Sequence, residues 1–201
     1  MKTLPLCLAT FICCMHALPA LAQRESFDAT VTHKVEVTVI ETLAIPLTTR
    51  SDWIFREGWM AGGGRGGYNA SKKFVSFDNI FFKFDSAELR DRASELIVDD
   101  IAGALKSPKL KDAVFLIEGH TCDLGEDEYN FDLSARRAEA IRQMLIKRGI
   151  SAKRLVALGF GESEIVDPVK RSDTPGEAET RRMKSRRVVL RRLVPEPPVK
   201  K

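Results

Sequence analysis

Apolar and polar positions change period several times along the chain, and each change predicts an element. From Ala29 to Ile40 they alternate, with Val31, His33, Val35 and Val37 on one side and Thr32, Lys34, Glu36 and Thr38 on the other. That is the period of a half-exposed strand. Leu43 to Leu47 can form another short strand. Ile80 to Phe84 consists largely of strong β-formers. Leu89, Ala93, Leu96, Ile97, Ile101, Ala104 and Leu105 then recur at helical spacing, with Ser86 as the predicted cap and Ser107-Pro108 as the stop. Val114 to Glu118 is a near-continuous apolar run, which predicts a strand buried on both faces. A second helix is predicted from about Asn130 to Arg148, closed by Gly149. A strand at Leu155 to Leu158, a polar loop from Gly159 to Glu177, a short helix at Glu177 to Lys184 and a last strand at Arg187 to Arg192 complete the pattern. Strands alternating with helices predict an α/β (α+β) layered domain over residues 80–193. A β-rich leader occupies 23–79 and a Pro/Lys-rich tail 194–201. Ala61 to Gly67 is a glycine-rich linker without the Gly-Lys-Ser/Thr ending of a phosphate loop. No internal repeat is visible.

The first residues change the picture. Met1-Lys2, an apolar stretch from Leu4 to Ala17 and the small-x-small site Ala20-Leu21-Ala22 read as a cleaved secretory signal peptide over 1–22. Neither Cys13 nor Cys14 follows the small residue that lipidation requires. Cleavage removes Cys7, Cys13 and Cys14 and leaves Cys122 as the one cysteine, so no internal disulfide framework exists. A hydrophobic share of 44% supplies an ordinary core instead. Residues 23–79 are too few for a membrane barrel, which needs about eight strands of about ten residues. The formal charge is +4, and residues 181–201 hold nine basic side chains against Glu196 alone. Export argues against nucleic acid as the partner of this block. Anionic envelope polymers or a solvated basic strand account for it.

Candidate chemistry concentrates where the second strand meets the second helix. Gly119-His120-Thr121-Cys122-Asp123-Leu124-Gly125 is a polar, glycine-bounded loop. On the helix, Leu133, Arg137, Ile141, Met144 and Leu145 share one stripe, so Arg137 sits where an apolar residue is expected. A charge there is costly unless paired. Its planar fork suits a carboxylate, and the loop offers Asp123, Glu126 and Asp127, with Asp85 from the preceding strand. Acid and arginine at one junction make a receptor for a small zwitterion, or an internal ion pair that fixes the loop.

Residues 80–193 resemble the OmpA-like C-terminal domain. The landmarks are Phe82-Lys83-Phe84-Asp85-Ser86-Ala87-Glu88-Leu89, Gly119-His120-Thr121, Tyr129-Asn130, Leu133-Ser134-Ala135-Arg136-Arg137-Ala138, Gly159-Phe160-Gly161-Glu162 and Arg186-Arg187-Val188. The resemblance implies a βαβαβαβ sandwich, with helices packed on a mixed sheet, that binds the diaminopimelate-containing stem peptide of peptidoglycan non-covalently. It further implies that Arg137 holds a carboxylate, that an acid directly after Gly-His-Thr holds an ammonium, and that Asn130 and Asp85 shape the pocket. The chain departs from the pattern at that acid, where Cys122 stands, with Asp123 one residue later. Ser185 replaces the usual asparagine before Arg186-Arg187. The expected peptidoglycan-binding set is therefore Arg137, Asp123, Asn130 and Asp85, with Thr121 and Cys122 lining the loop.

The expected protein is periplasmic, associated with the outer membrane, and neither an enzyme nor the holder of a metal or cofactor. Its leader, 23–79, offers a surface for an envelope protein partner. One alternative is an interaction protein of an envelope assembly whose domain has lost or altered its ligand. Another is a thiol hydrolase using Cys122 and His120, for which no third orienting group is evident. A metal site at His120, Cys122 and Asp123 would have too few ligands. An intermolecular disulfide through Cys122 would give a homodimer.

Overall fold

The computed structural model describes residues 34–44, 53–54 and 68–195. The signal peptide, the glycine-rich linker, the segment 45–47 and the tail beyond 195 lie outside the described residues. Helix α1 covers 34–43. There follow strands β1 (Trp53–Ile54) and β2 (Tyr68–Phe77), helix α2 (Arg92–Lys106), strand β3 (Val114–Gly119), helix α3 (Asp127–Lys147), a 3-10 turn (Ala152–Arg154), strand β4 (Leu155–Gly159), helix α4 (Pro175–Ser185) and strand β5 (Val188–Pro195). One mixed sheet has the order β1-β2-β5-β3-β4. Only β3 and β4 run parallel, and α3 is the crossover that a parallel pair requires.

The core lies between the sheet and the helices. Phe115 and Ile117 of β3, Leu190 of β5 and Phe77 of β2 meet Ile101 and Leu105 of α2 and Ile141 and Leu145 of α3. The opposite face carries a smaller cluster of Ala70, Leu116 and Leu193. On that face Arg191 of β5 donates to Glu118 of β3 at 2.7 Å, both side chains buried, and also to the Ser71 carbonyl of β2. The guanidinium thus ties three neighbouring strands together.

Three expectations are corrected. The alternation over 29–40 does not make a strand where it is described, because residues 34–43 are helical. Val35, Val39 and Leu43 also recur every four residues, and as a helix this face enters the core with Val39 and Leu43 fully buried. Ile80 to Phe84 is not a strand but half of a folded-back loop with one bridge, Phe82 to Leu89. The place beside β5 is already taken by β2. Helix α2 accordingly starts at Arg92, capped by Asp91, whose carboxylate accepts the Ser94 amide at 2.9 Å. The described parts of the leader join the domain: α1 packs into its core and β2 pairs with β5 in its sheet.

The C-terminal ends of β3 and β4 position the site. Gly119 and Gly159 are paired in register there. A Cβ on Gly119 would lie 2.1 Å from the Ser134 carbonyl oxygen of α3, and one on Gly159 would lie 2.5 Å from the Ala135 nitrogen. Helix and strands thus touch backbone to backbone. Gly119→Ala is expected to cost about 3 kcal/mol, read as a lower midpoint in urea unfolding.

Asp100 on α2 is buried near Glu36 of α1 and beside Asp99, and its carboxyl is pushed up to about 6, chiefly by desolvation and then by those two acids. The folded state holds this proton more tightly than the unfolded chain. The stabilisation is fully present below pH 4 and is lost as pH rises through 6. Asp100→Asn should therefore be more stable than wild type at pH 7.5, by about 1 kcal/mol after solvent screening. The gap should close as pH falls toward 4, which paired thermal melts would show.

Candidate functional site

A cavity of about 730 Å³ opens between the 80–90 loop, the loop after β3, the first half of α3 and the end of α4. Its position follows from the backbone. The His120 amide donates to the Arg187 carbonyl at 3.0 Å and the Thr121 amide to the Gly161 carbonyl at 2.9 Å. The Ser134 hydroxyl accepts from the Gly161 amide at 2.9 Å and donates to the Phe131 carbonyl. These bonds join the loop after β3 to the loop after β4 and both to α3.

Asn130 holds the next residues of the loop. Its buried amide group donates to the carbonyls of Cys122 at 3.3 Å and Leu124 at 3.0 Å and to Glu162 at 2.8 Å. It lines the cavity, but its donors are committed to the protein. Thr121 is buried, and its hydroxyl has no hydrogen-bond partner among the described residues. Asp85 lies at the exposed rim with φ of 48° and accepts a hydrogen bond from the Tyr129 hydroxyl.

Arg137 sits as its helical stripe predicts. Its Nε donates to the Ser86 carbonyl at 3.0 Å, and its guanidinium lies 5.0 Å from the centre of the Phe82 ring. It makes no ion pair with a carboxylate among the described residues. Desolvation is the main cause that lowers its pKa, with Arg186 and Arg136 adding to it, while Tyr129 and Cys122 act the other way. Two terminal nitrogens of a half-buried cation are thus left for a guest.

The loop acid does not face this cation. Asp123 is absent from the cavity lining and accepts from Arg182 of α4, at 2.7 Å from Nε and 3.3 Å from Nη2. Arg182 holds its carboxyl below the usual range. Cys122 lines the cavity instead, 6% exposed, with its sulfur 3.5 Å from Nη1 of Arg186. The carboxylate of Asp123 is thus engaged by the arginine of α4 and does not line the cavity with Arg137.

Sequence reasoning missed the contribution of α4. Glu179, Met183 and Arg186 line the cavity, and Glu179 pairs with Arg186. Their spacing of four and three residues is the signal that could have found them. The mouth is apolar, with Phe84, Leu124, Tyr129 and Met183 all substantially exposed.

The rival chemistries find little support. His120 is buried, stacks on Phe160 and faces Glu118 at 3.5 Å, while the Cys122 sulfur accepts from Arg186. Burial lowers the pKa of His120. Glu118, His120 and Glu164 come close enough to surround an ion. Arg191 and Arg187 already bring positive charge to the two carboxylates, so a divalent cation would meet like charge there. A thiol this buried cannot reach a second copy unless the loop opens, since a disulfide needs Cα atoms within about 7 Å.

A sequence model of the OmpA family matches residues 81–182, just over half of the chain. The chain belongs to the OmpA family. It is 33% identical over 96 residues to outer membrane protein A of Escherichia coli O157:H7, covering 48% of this chain and 28% of that one. It is 34% identical over 113 residues to the photosystem I P700 chlorophyll a apoprotein A2 of Gloeobacter violaceus, covering 56% of this chain and 13% of that one. The chain thus spans well under half the length of the curated relatives it matches. Among solved structures, the periplasmic domain of Helicobacter pylori MotB superposes with a TM-score of 0.50 at 20% identity, over 66% of this chain and 85% of that one. That likeness is one of fold. The layered arrangement of helices on a mixed sheet agrees with the fold class read from the sequence.

Asn130→Ala should release the two loop carbonyls at a cost of about 2 kcal/mol. Labelling by a thiol reagent under native conditions should then become faster at Cys122 than in the wild type.

Proposed function

We propose that this domain binds peptidoglycan without covalent chemistry and tethers an outer-envelope component to the cell wall. The observation that carries the reading is Arg137, a half-buried guanidinium that faces a cavity and has no carboxylate partner among the described residues. Such a cation calls for an anionic guest, and the stem peptide of peptidoglycan carries carboxylates. Membership of the OmpA family supports the choice of polymer. Asp85 with Tyr129 forms one rim, and Asn130 keeps the loop in shape. Periplasmic location follows from the signal peptide read over 1–22.

A partner protein would meet the leader, residues 23–79. Removing all of 23–79 would take away β2 and the buried face of α1, so it would not test a separate role for the leader.

The test is co-sedimentation of the mature chain with purified diaminopimelate-type sacculi. Wild type should pellet. Arg137→Ala should bind at least tenfold more weakly, corresponding to loss of a charged hydrogen-bond pair of about 1.5–3 kcal/mol. Asp123→Ala should still pellet, because its carboxylate serves Arg182. Equal pelleting of wild type and a folded Arg137→Ala variant would remove the pocket from the mechanism.

A further inference from the structure

The charges around the cavity are unequal, and most have internal partners. Lys83 pairs with Glu88, Arg90 with Asp91 and Arg187 with Glu164. Glu179 is taken by Arg186. The Asp85 carboxylate accepts from Tyr129 at the exposed rim, where an ion pair contributes little. The cavity is also lined by Arg137, Arg186 and the buried Cys122 thiol, whose sulfur lies beside Arg186. The nearest acid of the loop, Asp123, is turned to Arg182 outside the cavity. Beside Cys122 a guest meets cations and a sulfur, and the two acids that line the cavity, Asp85 at the exposed rim and Glu179, are engaged by Tyr129 and Arg186 among the described residues.

Resting on the peptidoglycan reading, we infer that the site recognises a stem-peptide carboxylate without requiring a free ammonium beside it, and so accepts units whose side-chain amine is acylated, as at a peptide cross-link. A zwitterion receptor needs both poles, and an acylated amine has lost its positive charge. Here the positive pole of a zwitterion would approach Arg186 through a sulfur that offers weak acceptance. An amide at that position carries no charge for Arg186 to repel. The cavity also has room for the acyl neighbour. Its volume lies in the range of about 300–1,000 Å³ that encloses whole small ligands. Its exposed apolar side chains, Phe84, Leu124 and Met183, offer that neighbour a surface.

The experiment compares three preparations of the same sacculi: untreated, treated with acetic anhydride so that free amines become neutral amides, and treated with carbodiimide and ammonia so that carboxylates become amides. Full-length mature wild type should bind the first two within about twofold and lose the third. Cys122→Asp puts an acid in place of the thiol and should prefer untreated over acetylated sacculi by at least tenfold, the effect of one charged hydrogen bond of about 1.5–3 kcal/mol. Loss of wild-type binding on acetylation, with untreated sacculi still bound, overturns this inference and leaves peptidoglycan binding intact. Failure of wild type to bind any preparation overturns the peptidoglycan reading and the inference with it. Because the first comparison uses wild type alone, the answer does not depend on the folding of Cys122→Asp.

Discussion

Helix α3 lies against the backbone of β3 and β4 at Gly119 and Gly159, and the site depends on that contact. No side chain fits between them. Ser134 is the residue of α3 at the contact, and its hydroxyl bonds the loop after β4. Asn130 lies four residues before it and Arg137 three after, so one helical stripe carries all three. Once Ser134 is seated, Asn130 must meet the loop after β3 and Arg137 must enter the cavity. The same seating brings the first turn of α3 to Asp85 through Tyr129. The two glycines thus fix the rotation of the helix about its axis, and with it the chemistry the helix presents.

Electrostatics around this frame divide into two regions. On the far face of the sheet, Glu118 and Arg191 form a buried, hydrogen-bonded pair, with guanidinium contacts to β2 carbonyls. Breaking such a pair strands a charge and costs several kcal/mol, whereas the intact pair adds little net stability. The pair bridges β3, β5 and β2. On the cavity side, Arg137 has a backbone carbonyl and an aromatic face but no anion. The satisfied buried pair thus lies on the far face, and Arg137, without an anion among the described residues, lies on the cavity side.

Much of this was legible from residues alone. The near-continuous run Val114 to Glu118, the stripe through Arg137 and the stop at Gly149 gave β3 and α3 closely, because each signal is local. The errors arose where tertiary competition decides. Val35, Val37 and Val39 alternate as a strand would, but Val35, Val39 and Leu43 also line one helical face, and packing against the core selected the helix. Phe81 to Phe84 has strand propensity, yet β2, from the end of the leader, had already taken the place beside β5. The direction of Asp123 was illegible for the same reason. Its partner Arg182 lies 59 residues away, on a helix whose approach to the loop no local pattern announces.

The cysteine after Gly-His-Thr acquires meaning only against this geometry. An acid at that position would stand beside Arg186 and within the field of Arg137, and it would neutralise part of their charge before any guest arrived. A thiol does not, and Glu179 compensates Arg186 from the other side. Arg137 is then the cation that remains uncompensated, in a setting where desolvation already disfavours its charged form. An anion beside Arg137 would offset that cost. Replacing acid by thiol therefore does not silence such a pocket. On the proposed reading it would remove one of two poles and leave the other to Arg137.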